Sequence, residues 1–82
     1  MNITTVDIVR DDTGKISVTI EPALERDGDT EKETGCYVLY NGEGFVGEIC
    51  FNRDDKYDWE YVGDQLSHEE QNQIALHIQA QI

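Results

Sequence analysis

The chain has 82 residues, with 18 acidic and 6 basic side chains and a formal charge of −12. That length leaves room for one ordinary domain. Six cations are too few for a generic nucleic-acid binder, in which each phosphate contact takes a Lys or Arg, and no apolar run approaches the roughly 18 residues that suggest a membrane span.

Size scaling gives about 5,000 Å² of folded surface against roughly 13,600 Å² for the open chain, enough burial for one core. Residues 2–10 alternate as a strand, with Thr4, Val6 and Ile8 on one face. Residues 15–21 alternate again, with Ile16, Val18 and Ile20 together. A loop at 12–14, ending in Gly14, joins them as a hairpin in which Ile8 faces Val18 and Val6 faces Ile20. Pro22 ends this strand or sets its end on a sheet edge. Residues 23–34 are charged, carry an Asp27-Gly28 turn signal and have little apolar content beyond Leu24. They read as a solvated acidic loop.

A second hairpin joins 36–40 to 45–51 through Asn41-Gly42, a preferred type I′ pair. In that register Val38 faces Phe45, Cys36 faces Gly47, and the two cysteines fall on opposite faces. A longer loop at 42–44 would align Cys36 with Cys50, but would set Val38 against Glu48. The expectation is therefore two reduced cysteines acting as small strand side chains. Residues 57–62 give a fifth strand, with Tyr57, Trp59 and Tyr61 on one face and Gly47 opposite Tyr61. Ser67-His68-Glu69-Glu70 has the form of a capping box, and Ile74, Ile78 and Ile82 follow as a helical stripe. Leu76 and Ala80 make the same stretch alternate as a strand would; the cap, glutamines and alanines favour the helix.

These elements describe an α+β fold. Two hairpins and a fifth strand form an antiparallel sheet of about five strands, with one C-terminal helix packed on one face. Residues 1–82 make a single small acidic domain.

The motif scan yields no catalytic, cofactor-binding or metal-binding set. His68 and His77 are nine positions apart, a rotation of about 900°, so they face opposite sides of one helix. The acids from Asp27 to Glu33 resemble a calcium loop only until its sixth position, which is Lys32 rather than glycine. Gly42-Glu43-Gly44 lacks the following helix and the Lys of a phosphate loop.

What remains is a non-catalytic interaction module for a basic protein surface, without direct nucleic-acid or membrane contact. Its candidate contacts are Trp59, ringed by Asp58, Glu60 and Asp64, and the loop acids Asp27, Asp29 and Glu31. A sharper form is a mimic of nucleic acid that blocks a DNA- or RNA-binding protein; a third is a small accessory subunit of an enzyme. A cytoplasmic setting and a homodimer paired through a sheet edge complete the expectations.

Overall fold

The computed structural model describes residues 3–10 and 14–82. Five strands follow one another in chain order and pair as an antiparallel meander: β1 Thr4–Arg10, β2 Gly14–Asp27, β3 Thr30–Asn41, β4 Gly44–Phe51 and β5 Trp59–Val62. The helix α1, His68–Gln79, comes last. This is the α+β arrangement expected from the sequence. Ile8, Val18, Ile20, Leu39 and Ile49 from the strands join Ile74, Ala75 and Ile78 of the helix in one buried cluster.

The first hairpin keeps its expected faces but slips by two residues. Val6 pairs with Val18 and Ile8 with Ile16, and the ladder closes at Arg10 and Gly14. A two-residue slip leaves every side chain on its face, so the apolar pattern cannot distinguish the two registers. Most of the expected 12–14 loop lies outside the described residues.

The larger departure is at 23–34. This stretch is solvated, as expected, but it is paired. β2 runs on past Pro22, β3 begins at Thr30, and Gly28-Asp29 makes the turn between Asp27 and Thr30. Arg26 faces Glu31 and Glu25 faces Lys32 across the ladder. Opposite charges directly across a strand pair are favourable, whereas like charges are not. The strand signal here lies in charge complementarity between two segments, which no hydrophobic periodicity reveals. At about 3.3 Å per residue, the 14 residues of β2 reach about 46 Å, close to the longest molecular dimension of 45 Å. The outer part of β2–β3 therefore projects as a two-stranded ribbon. A register shift between Pro22 and Leu24 marks its base, where the Thr34 hydroxyl donates to the Ala23 carbonyl at 2.8 Å.

The second hairpin also turns one residue later than expected. Asn41 pairs with Gly44, leaving Gly42-Glu43 as the turn. Gly42 has φ of 63°, and no described non-glycine residue has positive φ. A positive φ at the first central position alone is the type II′ pattern, which asks for glycine there and spares Asn41 the left-handed region. Tyr40 then pairs with Phe45, but Leu39 pairs with Gly47, so Val46 is a bulge. That one extra residue exchanges the faces of β4 beyond it. Ile49 and Phe51 turn into the core beside Tyr37 and Leu39. Cys36 meets Cys50 on the outer face, and Val38 faces Glu48, the pairing that the sequence argued against.

In β5 the pairs are Phe51 with Trp59 and Ile49 with Tyr61. The expected partner of Tyr61, Gly47, is one diagonal step away. The Tyr61 ring nevertheless leans over Gly47 and Gly63, and a Cβ at either would overlap it. Its hydroxyl donates to the Val46 carbonyl at 2.6 Å. Burial, the largest influence, pushes the phenol pKa up, while the nearby Gln65 and Leu66 backbone amides pull it down. Tyr61 thus ties the bulge to the segment leading into the helix.

The capping box forms as the sequence predicts. The Glu70 amide donates to the Ser67 hydroxyl at 3.2 Å, and the Ser67 amide donates to the Glu70 carboxylate at 2.7 Å. The helix ends at Gln79, so Ile82 falls outside the stripe and is half exposed. Polar side chains tie the helix to β1 at its middle and to the loop before β5 at its end. Gln73 accepts from the Val9 amide at 2.8 Å and donates to the Val9 carbonyl at 2.9 Å. Gln79 donates to the Lys56 carbonyl at 3.0 Å.

Glu70 is buried and receives the Arg10 guanidinium. That hydrogen bond, first of all, holds its carboxyl below the usual carboxylate range, against the opposing effect of burial. Glu70→Ala should cost about 1–3 kcal/mol, an amount reduced because Arg10 is 31% exposed. The folded pKa is depressed, so the contribution is complete above the unfolded value of about 4.3 and disappears as pH falls through the folded one. Urea unfolding at pH 7 and pH 3 should show the gap between wild type and variant narrowing at the lower pH. A gap unchanged between the two would mean that the charge on Glu70 contributes nothing.

Candidate functional site

The ribbon carries the densest display of acid. Residues 24–33 are all exposed, and they include Glu25, Asp27, Asp29, Glu31 and Glu33 beside Arg26 and Lys32. Asp27, Asp29 and Glu31 gather at the tip, with Asp29 inside the turn. Strand alternation divides the acids. Glu25 and Asp27 share a face with Lys32, while Glu31 and Glu33 share the other with Arg26. The sequence reading named three of these acids, and the fold brings those three together.

The second expected patch is dispersed. Trp59 is half-buried, packs against the core cluster and stacks on His68, with ring centroids 6.5 Å apart. It is a cover for the helix start rather than an exposed anchor, because Trp59 and Tyr61 point to the helix-covered face. Tyr57 precedes β5 and is well exposed. Asp58 is exposed but accepts from the Asn52 side chain at 3.1 Å, within a loop also closed by the Asn52 amide on the Asp58 carbonyl at 2.8 Å. Glu60 faces outward beside Cys50. Asp64 lies beyond the far end of β5, about 20 Å of strand away from Asp58.

A cleft of about 530 Å³ opens at the base of the ribbon, between Glu33, Thr34, Tyr37, Phe51, Arg53 and Lys56. Lys56 is engaged there with the Gln79 carbonyl at 3.4 Å. The cleft mixes both charge signs over an aromatic floor. Burial is the chief cause that pushes the Tyr37 phenol upward, with Glu33 adding to it. Two carboxylates, Glu33 and Asp54, line the cleft together with the cations Arg53 and Lys56.

The outer face of β3 and β4 holds the feature that sequence reasoning missed. Cys36 and Cys50 form a disulfide, with Cα atoms 4.0 Å apart. The expectation of reduced cysteines fails because the Val46 bulge places both on one face. The Glu48 carboxylate lies 3.6 Å from the Cys50 sulfur, and single donor atoms of Cys36, Glu48 and Cys50 fall within 4.8 Å of one another. Two sulfurs and one carboxylate are the donor types of a thiophilic metal site, though sulfurs joined to each other have no thiolate to offer. The available signal was the longer-loop register, which aligns the cysteines.

No protein-family model, no curated protein and no solved structure matches this chain.

Proposed function

We propose that this is a non-catalytic interaction module whose acidic ribbon binds a basic protein surface. The observation that carries this reading is a hydrogen-bonded ribbon, exposed throughout residues 24–33, that presents five carboxylates without covering any core. Pairing sets the backbone before binding, which lowers the ordering cost of association. The surrounding negative field steers a cationic partner and makes the association salt-sensitive.

The ribbon offers the nucleic-acid-mimic reading no support. Duplex DNA carries one charge per ~1.7 Å of axis, while side chains on one strand face repeat every ~6.6–6.8 Å. Each ribbon face also interrupts its acids with a cation, Lys32 or Arg26. An enzymatic role, alone or as an accessory subunit, has no better support. Glu70, the buried carboxylate among the described residues, is engaged by its cap and by Arg10. For self-association through a sheet edge, β5 is the freer candidate, since Gln73 occupies the β1 backbone at Val9. A cytoplasmic setting belongs to the same proposal. A cysteine count short of the disulfide framework of small secreted domains supports it, whereas the Cys36–Cys50 disulfide, a bond that persists in oxidising compartments, counts against it.

Two triple variants with equal charge change test the reading: Asp27→Asn/Asp29→Asn/Glu31→Gln on the ribbon, and Asp58→Asn/Glu60→Gln/Asp64→Asn elsewhere. Stopped-flow association with a lysine homopolymer of about 20 residues should slow severalfold for the ribbon variant at low salt, and less for the other. The difference should vanish in high salt. Equal slowing would assign the steering to total charge and remove the ribbon from the role.

A further inference from the structure

We propose that reduction of the Cys36–Cys50 disulfide creates a metal site on the outer face of the sheet. There Cys36 Sγ, Cys50 Sγ and the Glu48 carboxylate hold one thiophilic divalent cation, such as Zn²⁺. The three donors come from adjacent strands in fixed register: Cys36 opposite Cys50, and Glu48 two residues along the same strand and on the same face. Their donor atoms already lie within 4.8 Å of one another. Tetrahedral zinc takes sulfur at about 2.3 Å and carboxylate oxygen at about 2.0–2.2 Å, so small rotamer changes suffice once the sulfurs part. Water completes the fourth position, as in sites with three protein ligands.

The surroundings favour a cation. Glu60 sits opposite Cys50 on the neighbouring strand. A cleft of about 330 Å³, lined by Cys50, Asp58 and Glu60 among others, opens beside Cys50 and gives a metal or a reductant access to it. With both thiolates and Glu48 ionised, the ligand set carries three negative charges against two on the metal.

The chemistry balances with a dithiol reductant. Its two thiols supply two electrons and two protons and become a disulfide. The Cys36–Cys50 bond breaks, and each sulfur leaves as a thiol. Binding of the cation then releases those two protons to solvent and forms two sulfur–metal bonds, with the Glu48 oxygen as the third. Oxidised and metal-loaded forms therefore exclude one another, and the same two sulfurs either cross-link or coordinate.

The test uses the full chain, reduced with a phosphine, freed of reductant under anaerobic conditions and titrated with Co²⁺. The expected result is a thiolate-to-cobalt charge-transfer band that saturates at one metal per chain, disappears on addition of Zn²⁺ and never develops in the oxidised protein. Cys36→Ser should abolish the band. Glu48→Gln should keep it while weakening binding at least about tenfold, as ligand loss must cost no less than loss of an outer-shell partner. Circular dichroism in the same titration reports the sheet. If the reduced chain loses its sheet, Co²⁺ should restore it. Absence of the band, saturation at half a metal per chain, or an affinity unchanged by Glu48→Gln would each overturn the site.

Discussion

Reducing the Cys36–Cys50 disulfide in the presence of a chelator is expected to lower the melting temperature by about 12–24 °C. The bond closes a loop with a sequence separation of 14, and chain-entropy reasoning gives about 3 kcal/mol for a loop near 15 residues. In a domain of this size each kcal/mol shifts the midpoint by roughly 4–8 °C. Most of the effect lies in the unfolded chain, which gains freedom on reduction, because the β3–β4 ladder already sets the two strands without the bond. The effect is nevertheless large for a domain that, with 5519 Å² exposed, buries only about 59% of its open-chain surface. Melts followed by circular dichroism, with and without reductant, check the shift, and Cys36→Ser/Cys50→Ser should reproduce it. A shift under about 4 °C, the equivalent of roughly 1 kcal/mol, would mean that the unfolded chain is scarcely restrained by the bond.

Gly47→Ala is expected to cost about 2–4 kcal/mol, although it adds a single methyl group. The residue has φ of 156°, and its missing Cβ leaves the space that the Tyr61 ring occupies. The ring cannot swing aside without consequence. Gly63 bounds its other side, and its hydroxyl bonds the Val46 carbonyl. Overpacking of this kind costs about 1–3 kcal/mol, and backbone strain adds about 1 kcal/mol. Because the clash is with one side chain, the cost should be coupled to it. In a Tyr61→Ala background, Gly47→Ala should cost about 1–2 kcal/mol less than in the wild type. Urea denaturation of the four proteins in the cycle reads this difference. Additivity within about 0.5 kcal/mol would show that Tyr61 is not what the methyl group meets.

Much of the fold was legible because its signals are local. Ser67 and Glu70 announce the helix start within four residues, and the alternation of Ile16, Val18 and Ile20 marks a half-buried strand. Registers were harder to read. Slips of two residues at Ile8–Ile16 and Phe51–Trp59 preserve every face, so apolar patterning has no means of rejecting them. The Val46 bulge broke the parity on which the cysteine reading depended. The ribbon was hidden because its cohesion comes from backbone pairing across the ladder, which sets Arg26 opposite Glu31 only once the chain has folded back. Of the candidate contacts, Asp27, Asp29 and Glu31 did converge, being close in sequence. Trp59 was drawn under the helix by the same apolar face that made it conspicuous.

The bonds from Gln73 to Val9 and from Glu70 to Arg10 span 64 and 60 residues. They join some of the earliest residues of the chain to some of the last. During synthesis, β1 and its partner strand β2 emerge well before the helix that occupies the β1 backbone at Val9. An open strand edge is a template for pairing with other chains, and contacts this distant in sequence form late. The nascent protein therefore passes through a period in which its first strand is paired on one side only. Its many carboxylates, all made with the chain itself, repel neighbouring copies through that interval.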